Sequence, residues 1–262
     1  QVKFTQVVDT AIAGVNEYSN NATIEIANYS ANDGAGAFAY YPGSTAATSS
    51  AGDLWLNLSG GVTTSGVNAG TYPFFAIMHE LGHALGLSHP GDYNAGVGVV
   101  ITYANSAQFI QDSEMYSVMS YFAGSNTGEN PGAFATAYTP LLLDIYEIQN
   151  LYGANTTTRV GNTTYGFNAT SDALASYSFV GKAAPQFCIW AAGGVDTLDC
   201  SLYSGAQNIS LVAGTFSSVD GLTNNVSIAL GCTVENAIGG SGADTIVANS
   251  SQNRLSGGAG AD

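Results

Sequence analysis

The chain has 262 residues, of which 45% are hydrophobic and 9% are charged. That composition supplies a substantial core and excludes the charge-rich disordered class of chain. Nineteen acidic residues against four basic ones give a formal charge of −15, which disfavours nucleic acid and membrane partners and suits a protein partly neutralised by divalent cations.

Short alternations of apolar and polar residues predict strands in the first sixty residues. The predicted strands are Val2–Phe4, Thr23–Ile26, Ala37–Tyr41 and Leu54–Leu58. A helix is predicted next, beginning near Thr71 with Pro73 in its first turn. Its predicted buried stripe consists of Phe75, Met78, Leu81 and Leu85.

The three histidines of the chain all lie on or just after this helix. His79 and His83 are one helical turn apart and project from one face. Gly86 can adopt a positive φ, which would end the helix and let His89 approach from a third direction. Three neutral imidazoles leave a fourth position for water, as in a catalytic zinc site. Glu80 is then placed to take a proton from that water.

Two further features follow before residue 155. Met119, in the run Ser117–Tyr121, offers a soft apolar floor for the ligand rings. A second helix is predicted from Thr139 to Tyr152, ending at a glycine. Its acidic residues Asp144 and Glu147 are predicted to face solvent.

From about Asn155 onward the helical periodicity vanishes, and a β domain is predicted. Short apolar runs alternate there with turns, at Ser178–Val180, Phe187–Trp190 and Ile209–Val212. The cysteines of this part lack the spacing of a metal knuckle and are predicted to be buried small hydrophobes, with one bridge plus a free thiol as the alternative. They are Cys188, Cys200 and Cys232.

The glycine-rich tail carries a nine-residue repeat. Gly239–Val247 fits the calcium-binding nonapeptide, in which glycine carbonyls and an aspartate face the cation. The predicted calcium ligands are Gly240, Gly242 and Asp244, with Gly258, Gly260 and Asp262 in a later copy. Residues eighteen apart should lie on the same side of the roll, one turn above the other. Asp244 should therefore share an ion with the turn that holds Asp262.

These motifs carry a family resemblance. The histidine run with Met119 fits the metzincin signature. His89–Asn94 and Ser117–Tyr121 resemble the serralysins, the secreted alkaline metalloproteases of Gram-negative bacteria, as do Leu151–Asn155 and the tail. The resemblance implies an α+β metzincin-type zinc protease domain over residues 1–154, N-terminally incomplete, and an all-β parallel β-roll of the RTX type over residues 155–262, C-terminally truncated.

The resemblance also implies roles. The chain would be a secreted, extracellular zinc endopeptidase with one catalytic zinc ion, several structural calcium ions and a protein or peptide substrate. It would act as a monomer, without nucleic acid or membrane, and a proteinaceous inhibitor is a further expected partner. His79, His83 and His89 would bind zinc, and Glu80 would be the general base. Tyr121 would be an extra zinc ligand that swings away to stabilise the oxyanion. Asp53–Leu58 would be the edge strand along which substrate pairs, or Trp55 within it is simply a packed aromatic.

Further calcium sites are implied in the β domain. One would use Asp196, Thr233 and Glu235. Another would use Arg159, Gly161, Thr163 and Gly193, but Ala191 stands where the family carries an aspartate, which leaves that site weak or empty.

Two alternatives remain open. The chain could be a non-catalytic, calcium-dependent structural or adhesive protein with a protease-like domain, although retention of Glu80 argues against this. It could also hydrolyse a non-peptide amide with the same zinc chemistry.

Overall fold

The computed structural model describes residues 2–7, 22–44, 50–62, 66–96, 98–132, 136–182 and 184–262. The first part of the chain carries a small sheet and the longer helices, and the second part consists mainly of short strands. The strands are β1 Ile26–Tyr29, β2 Ala37–Ala39, β3 Leu54–Asn57, β4 Thr164–Gly166, β5 Phe187–Ile189, β6 Thr197–Asp199, β7 Asn208–Ser210, β8 Phe216–Ser217, β9 Val226–Ile228, β10 Asn236–Ile238, β11 Thr245–Val247 and β12 Arg254–Ser256. The α-helices are α1 Tyr72–Ala84, α2 Tyr103–Ser106, α3 Leu142–Tyr152 and α4 Leu174–Tyr177. Short 3₁₀ turns lie at Leu58–Gly60, Gly124–Thr127 and Ser171–Ala173.

The first sheet has the order β1-β3-β2, with β3 parallel to β1 and antiparallel to β2. The prediction that Asp53–Leu58 is the edge strand is therefore wrong, because β3 is paired on both sides. Strand β2 lies at an edge of the sheet among the described residues and contacts α1. Trp55 of β3 stacks on Phe38 of β2, with ring centroids 6.2 Å apart.

Two of the early strand predictions also need correction. Residues 2–7 contain no strand and pair with no strand among the described residues, so the prediction for Val2–Phe4 is wrong. The strand predicted at Thr23–Ile26 begins only at Ile26. Before it, the backbone N–H of Glu25 donates to the Asp53 side chain, while the Glu25 carbonyl accepts the N–H of Leu54.

Helix α1 agrees with its predicted extent, but its apolar stripe is only half-buried, at Phe75, Met78, Leu81 and Leu85. The buried positions are small or polar residues, because this helix turns them toward the sheet and the histidine cluster. They are Ala76, His79, Glu80, Gly82, His83 and Ala84. Helix α3 begins three residues later than predicted, at Leu142.

The second part fits a β-roll. One parallel sheet has the order β12-β10-β6-β4, and β11 pairs in parallel with β7 in another. Successive strands β10, β11 and β12 start nine residues apart and alternate between these sheets. Asn236 pairs with Arg254, so the predicted recurrence of one side every eighteen residues is confirmed. Of the other predicted runs, Phe187–Trp190 and Ile209–Val212 overlap β5 and β7, whereas Ser178–Val180 contributes only a single bridge at Ser178.

The largest hydrophobic core lies in this second part and is closed by Leu142 of α3. Its fully buried side chains include Tyr165, Phe187, Leu198 and Ile228. All three cysteines are buried and free, so the prediction of buried small hydrophobes is confirmed and the bridge alternative is wrong. Among the described helices, none combines the length and the apolar character needed to cross a bilayer.

Candidate metal centre and active site

Helix α1 presents His79, Glu80 and His83, each with 7% of its surface exposed. Pro73 lies in the first turn, where a missing N–H costs nothing. At the other end, Gly86 adopts φ 99°, as predicted. The N–H of Leu87 bonds the carbonyl of Gly82, and the N–H of Gly86 bonds that of His83. This pair of bonds closes the helix and turns the chain back toward the two histidines.

The three imidazole rings converge on one point. The Nε2 atom of His89 lies 3.2 Å from that of His79 and 3.1 Å from that of His83. The Nδ1 atom of each ring bonds a backbone carbonyl. His79 bonds that of Val118 at 2.7 Å, His83 that of Leu87 at 2.8 Å and His89 that of Tyr93 at 2.7 Å. Because a carbonyl can only accept, each Nδ1 carries the proton, and each Nε2 presents a lone pair to the centre.

This donor set fits a metal ion. Tetrahedral zinc with Zn–N bonds of 2.0–2.1 Å would separate its nitrogen ligands by about 3.3 Å, close to the Nε2 spacings in this cluster. Burial lowers the pKa of His79 to about 3 and that of His83 to about 4, and also lowers the pKa of His89. Three neutral imidazoles whose lone pairs face one another repel unless a cation lies between them. Among the described residues, this is the one group of three or more histidine, cysteine or acidic side chains close enough to share a metal ion.

Glu80 and Tyr121 border the same cleft as His79. The cleft has a volume of about 290 Å³ and is also lined by Ala37, at the start of β2. Burial raises the pKa of the Glu80 carboxyl to about 7. The Tyr121 ring lies 4.4 Å from the His89 ring and 5.8 Å from the His79 ring, measured between centroids. The structure thus brings together all five residues predicted for the zinc site.

Met119 lies beneath α1, with 2% of its surface exposed. Its sulfur is so close to Gly82 that a Cβ atom at that position would approach it to 2.4 Å. Gly82 lies between His79 and His83 in the sequence, so the thioether packs directly under the ligand-bearing turn. This is the floor that the sequence predicted for Met119, and a larger residue at position 82 would have to displace the thioether.

The prediction that Asp144 faces solvent is wrong. Asp144 is buried, and its carboxylate accepts bonds from the Ser117 hydroxyl at 2.6 Å and the Val118 N–H at 2.9 Å. It also accepts the N–H of Leu141 at 2.8 Å, which caps the start of α3. Because the Val118 N–H donates to Asp144 and the Val118 carbonyl accepts the Nδ1 proton of His79, Asp144 supports the first histidine through the backbone of one residue. Glu147, predicted with it, is exposed.

The predicted calcium residues of the tail lie in stacked turns. A Cβ atom at Gly258 would approach the carbonyl oxygen of Gly240 to 2.0 Å, and one at Gly260 would approach that of Gly242 equally closely. These turns are therefore packed backbone to backbone. The Asp262 carboxylate accepts the N–H of Asp244 at 2.8 Å, linking turns eighteen residues apart.

Nine residues after Asp244, Asn253 stands where the repeat pattern has an aspartate, and it keeps the same turn. Asp244 accepts the N–H of Gly240, four residues earlier. Asn253 accepts that of Asn249 in the same way, at 3.1 Å. An amide oxygen therefore replaces a carboxylate oxygen without changing the hydrogen bond.

The Asp196 and Glu235 carboxylates lie together where a calcium site is predicted. Glu235 accepts the N–H of Asp196 at 2.7 Å, and Asp196 accepts that of Thr163 at 2.8 Å. The other carboxylate oxygen of Asp196 is buried without a hydrogen-bond partner among the described residues. Burial, with the charge of Glu235, raises the pKa of Asp196 to about 6. A buried, unpartnered oxygen beside a second carboxylate fits a cation. Thr233, predicted with them, is exposed between β9 and β10.

The second predicted β-domain site is assembled only in part. Gly161 and Gly193 lie in neighbouring loops, where a Cβ atom at Gly193 would be 3.7 Å from the Val160 carbonyl. The Thr163 hydroxyl bonds the Gly161 carbonyl at 3.0 Å. The Arg159 guanidinium donates to the Trp190 carbonyl at 2.8 Å. Ala191 is buried and brings no carboxylate, so the site lacks a charged ligand at that position.

Two carboxylates near the cleft, half-buried Glu114 and buried Glu129, were not predicted from the sequence. Gln186 donates to Oε1 of Glu129 at 2.7 Å and to the backbone carbonyl of Glu114 at 2.9 Å. Oε2 of Glu129 is buried and unpartnered among the described residues, against Gly124. Burial raises the pKa of Glu114 to about 7; burial, with the charge of Glu114, raises that of Glu129 to about 8. No local motif marks the pair, because its members are fifteen residues apart and meet only in the fold.

Replacing Glu129 with glutamine should stabilise the protein at alkaline pH. The folded-state pKa is raised, so wild-type stability is fully present below the unfolded-state value near 4.5 and is lost as pH rises through about 8. We expect the free energy of unfolding of the Glu129→Gln variant to exceed that of wild type by about 1–3 kcal/mol at pH 8, with little difference at pH 5. Urea unfolding at constant calcium measures this. Glu147→Gln, at an exposed position, should leave the pH profile unchanged; an unchanged profile in Glu129→Gln would contradict the prediction.

Comparisons with known proteins agree with these motifs. Residues 154–262 match the family model described as Peptidase M10 serralysin C terminal. Serralysin B of Dickeya chrysanthemi is 46% identical over 249 residues, covering 91% of this chain and 50% of that protein. Metallopeptidase AprA of Pseudomonas marginalis is 47% identical over 233 residues, covering 86% of this chain and 48% of that protein. Metalloprotease AprA of Pseudomonas entomophila strain L48 is 46% identical over 233 residues, covering 87% of this chain and 47% of that protein. The chain spans about half the length of these relatives.

Proposed function

Because this chain belongs with the serralysins by sequence, we propose that it is a secreted zinc endopeptidase that cleaves extracellular proteins. The relatives are named as serralysins and metallopeptidases, and their names support a metal-dependent protease. The proposed domains are a metzincin-type protease domain over residues 1–154 and a calcium-binding β-roll over residues 155–262. A Gram-negative origin, action as a monomer and control by a proteinaceous inhibitor follow from the resemblance alone.

One observation carries the proposal: three neutral imidazoles converge beside a carboxylate in an open cleft. His79, His83 and His89 would hold the zinc ion through Nε2. When bound, the ion supplies Lewis acidity to the scissile carbonyl and to the attacking water. A purely structural site would use a fourth protein ligand, whereas these three histidines leave a position facing the cleft.

The other steps are carried by residues of this chain. Glu80 takes the proton of the attacking water and returns it to the leaving amine. The phenol of Tyr121, beside the His79 and His89 rings, donates to the developing oxyanion. An extended substrate peptide pairs with β2, the strand at the sheet edge that reaches the cleft.

Zinc-dependent hydrolysis of casein tests this function. The chain, stripped with a chelator and reloaded with one equivalent of zinc at fixed calcium, should bind the metal and cleave casein into fragments. Zinc binding without cleavage of casein or of a peptide library would favour a non-catalytic protein or a non-peptide amide substrate. Failure to bind zinc would overturn the proposal.

The proposed calcium role predicts a calcium-dependent stability. Saturating calcium at about a hundred times its dissociation constant should add about 2.7 kcal/mol per site to the free energy of unfolding. The Asp196→Asn variant should lose the part of this calcium stabilisation that comes from the site at Asp196. The reason is that the unpartnered oxygen becomes neutral or is replaced by an amide nitrogen. Asp172→Asn, at an exposed position, is the matched control. Equal calcium responses in wild type and Asp196→Asn would contradict a site at Asp196.

A further inference from the structure

The carboxylate of Asp112 joins two segments that border the candidate metal centre. Asp112 is fully buried, and its Oδ1 accepts the Tyr93 hydroxyl at 2.8 Å and the Ser120 hydroxyl at 2.7 Å. Tyr93 lies four residues after His89, and Ser120 directly precedes Tyr121. One oxygen atom therefore ties the loop of the third histidine to the segment that carries the tyrosine.

Tyr93 holds His89 in two ways. Its backbone carbonyl accepts the Nδ1 proton of His89 at 2.7 Å. Its ring stacks on the imidazole, with centroids 5.3 Å apart and planes 11° from parallel. The carbonyl fixes the direction of the Nε2 lone pair, and the ring limits rotation of the imidazole. The position of the ring depends on where the Tyr93 hydroxyl is held, and that hydroxyl is held by Asp112.

Ser120 extends the same support to Tyr121. The Ser120 hydroxyl donates to Asp112 and accepts the N–H of Phe122 at 3.1 Å. Tyr121 lies between these two residues, so the backbone on both sides of it is fixed. Its ring is 5.2 Å from that of Tyr93 between centroids, and 4.4 Å from that of His89.

Stability alone is a poor explanation for this carboxylate. The second oxygen of Asp112, Oδ2, is buried without a hydrogen-bond partner among the described residues. Leaving a carboxylate oxygen unpaired in an interior costs free energy. A neutral side chain could hydrogen-bond two hydroxyls at a lower desolvation cost. A carboxylate oxygen, in contrast, accepts both hydroxyl protons in strong, short bonds.

We propose that Asp112 is a positioning residue, which fixes His89 and Tyr121 relative to each other through the hydroxyls of Tyr93 and Ser120. The proposal rests on the proposed zinc site. Asp112 touches neither the metal position nor the substrate, and it acts only through residues that do.

Zinc affinity of folded variants tests the proposal. Tyr93→Phe removes one hydroxyl while keeping the ring and the backbone carbonyl, and Asp112→Ala removes both connections. Supporting hydrogen bonds of this kind change metal affinity by about 10–100-fold. We expect a weakening of that size in both variants, measured by competition with a chelator at a temperature where circular dichroism shows native structure. The visible absorption bands of the cobalt-substituted protein should shift in both, because the ligand geometry changes.

Ser113→Ala is the matched control. Ser113 is fully buried next to Asp112, but its hydroxyl bonds Thr127 at 2.6 Å, away from the histidines. Its loss should lower stability and leave zinc affinity and the cobalt spectrum unchanged. Affinities of both test variants within twofold of wild type, or an equal weakening in Ser113→Ala, would overturn the positioning role. If Asp112→Ala does not fold, Tyr93→Phe decides alone. A wild-type chain that binds no zinc would overturn the proposed function together with this inference.

Discussion

Replacing Glu80 with glutamine should lower kcat for peptide hydrolysis by about 10²–10⁴-fold, the range expected when a general base is lost. Glutamine keeps the size and one oxygen of the buried side chain but cannot take up the proton of the attacking water. The three histidines are held by backbone carbonyls rather than by Glu80, so zinc content should stay at one equivalent. Casein hydrolysis and metal analysis of the same preparation measure both quantities.

Glu147→Gln is the control for this experiment, since Glu147 is exposed on α3. Its activity should equal that of wild type. A Glu80→Gln variant with full activity would rule out Glu80 as the general base. A variant that loses both zinc and activity would show instead that Glu80 maintains the metal centre.

Replacing Asp144 with alanine should destabilise the chain by about 2–5 kcal/mol, because buried donors left without acceptors cost about 1–3 kcal/mol each. The Ser117 hydroxyl and the backbone N–H groups of Val118 and Leu141 would all lose their acceptor. Zinc should also bind more weakly, since the Val118 N–H bonds Asp144 and the carbonyl of the same residue holds His79. Urea unfolding and zinc competition measure the two effects separately.

Glu147→Ala is the matched control, because it removes a carboxylate from an exposed position on the same helix. It should change the free energy of unfolding by less than about 0.5 kcal/mol. An Asp144→Ala variant as stable as Glu147→Ala would show that the three hydrogen bonds contribute nothing net.

The candidate metal centre could be predicted largely from the sequence, because its main geometry is local. His79 and His83 are neighbours on any α-helix, and the positive φ of Gly86 follows from the type of residue. The nine-residue repeat likewise predicts the roll, because each copy forms the same turn and strand. Each of these inferences needs only the residues within one helix or one repeat.

What the sequence did not predict depends on contacts between distant segments. Asp144 has the helical position of an ordinary surface acid, and only the packing of α3 against Ser117 and Val118 makes it a buried acceptor. The central place of β3 depends on its pairing with both β1 and β2. The alternation of apolar and polar residues within one strand does not predict how many other strands will pair with it.

The hydrogen bonds that orient the three histidines constrain which mutations such a site can accept during evolution. Each ring is oriented by a peptide carbonyl, at Val118, Leu87 or Tyr93. A point substitution at any of these positions exchanges a side chain but leaves the oxygen in place. Inserting or deleting a residue moves the oxygen itself. The centre should therefore accept other apolar side chains that fit the buried cluster at Leu87 and Val118, while the lengths of the loops around it stay fixed.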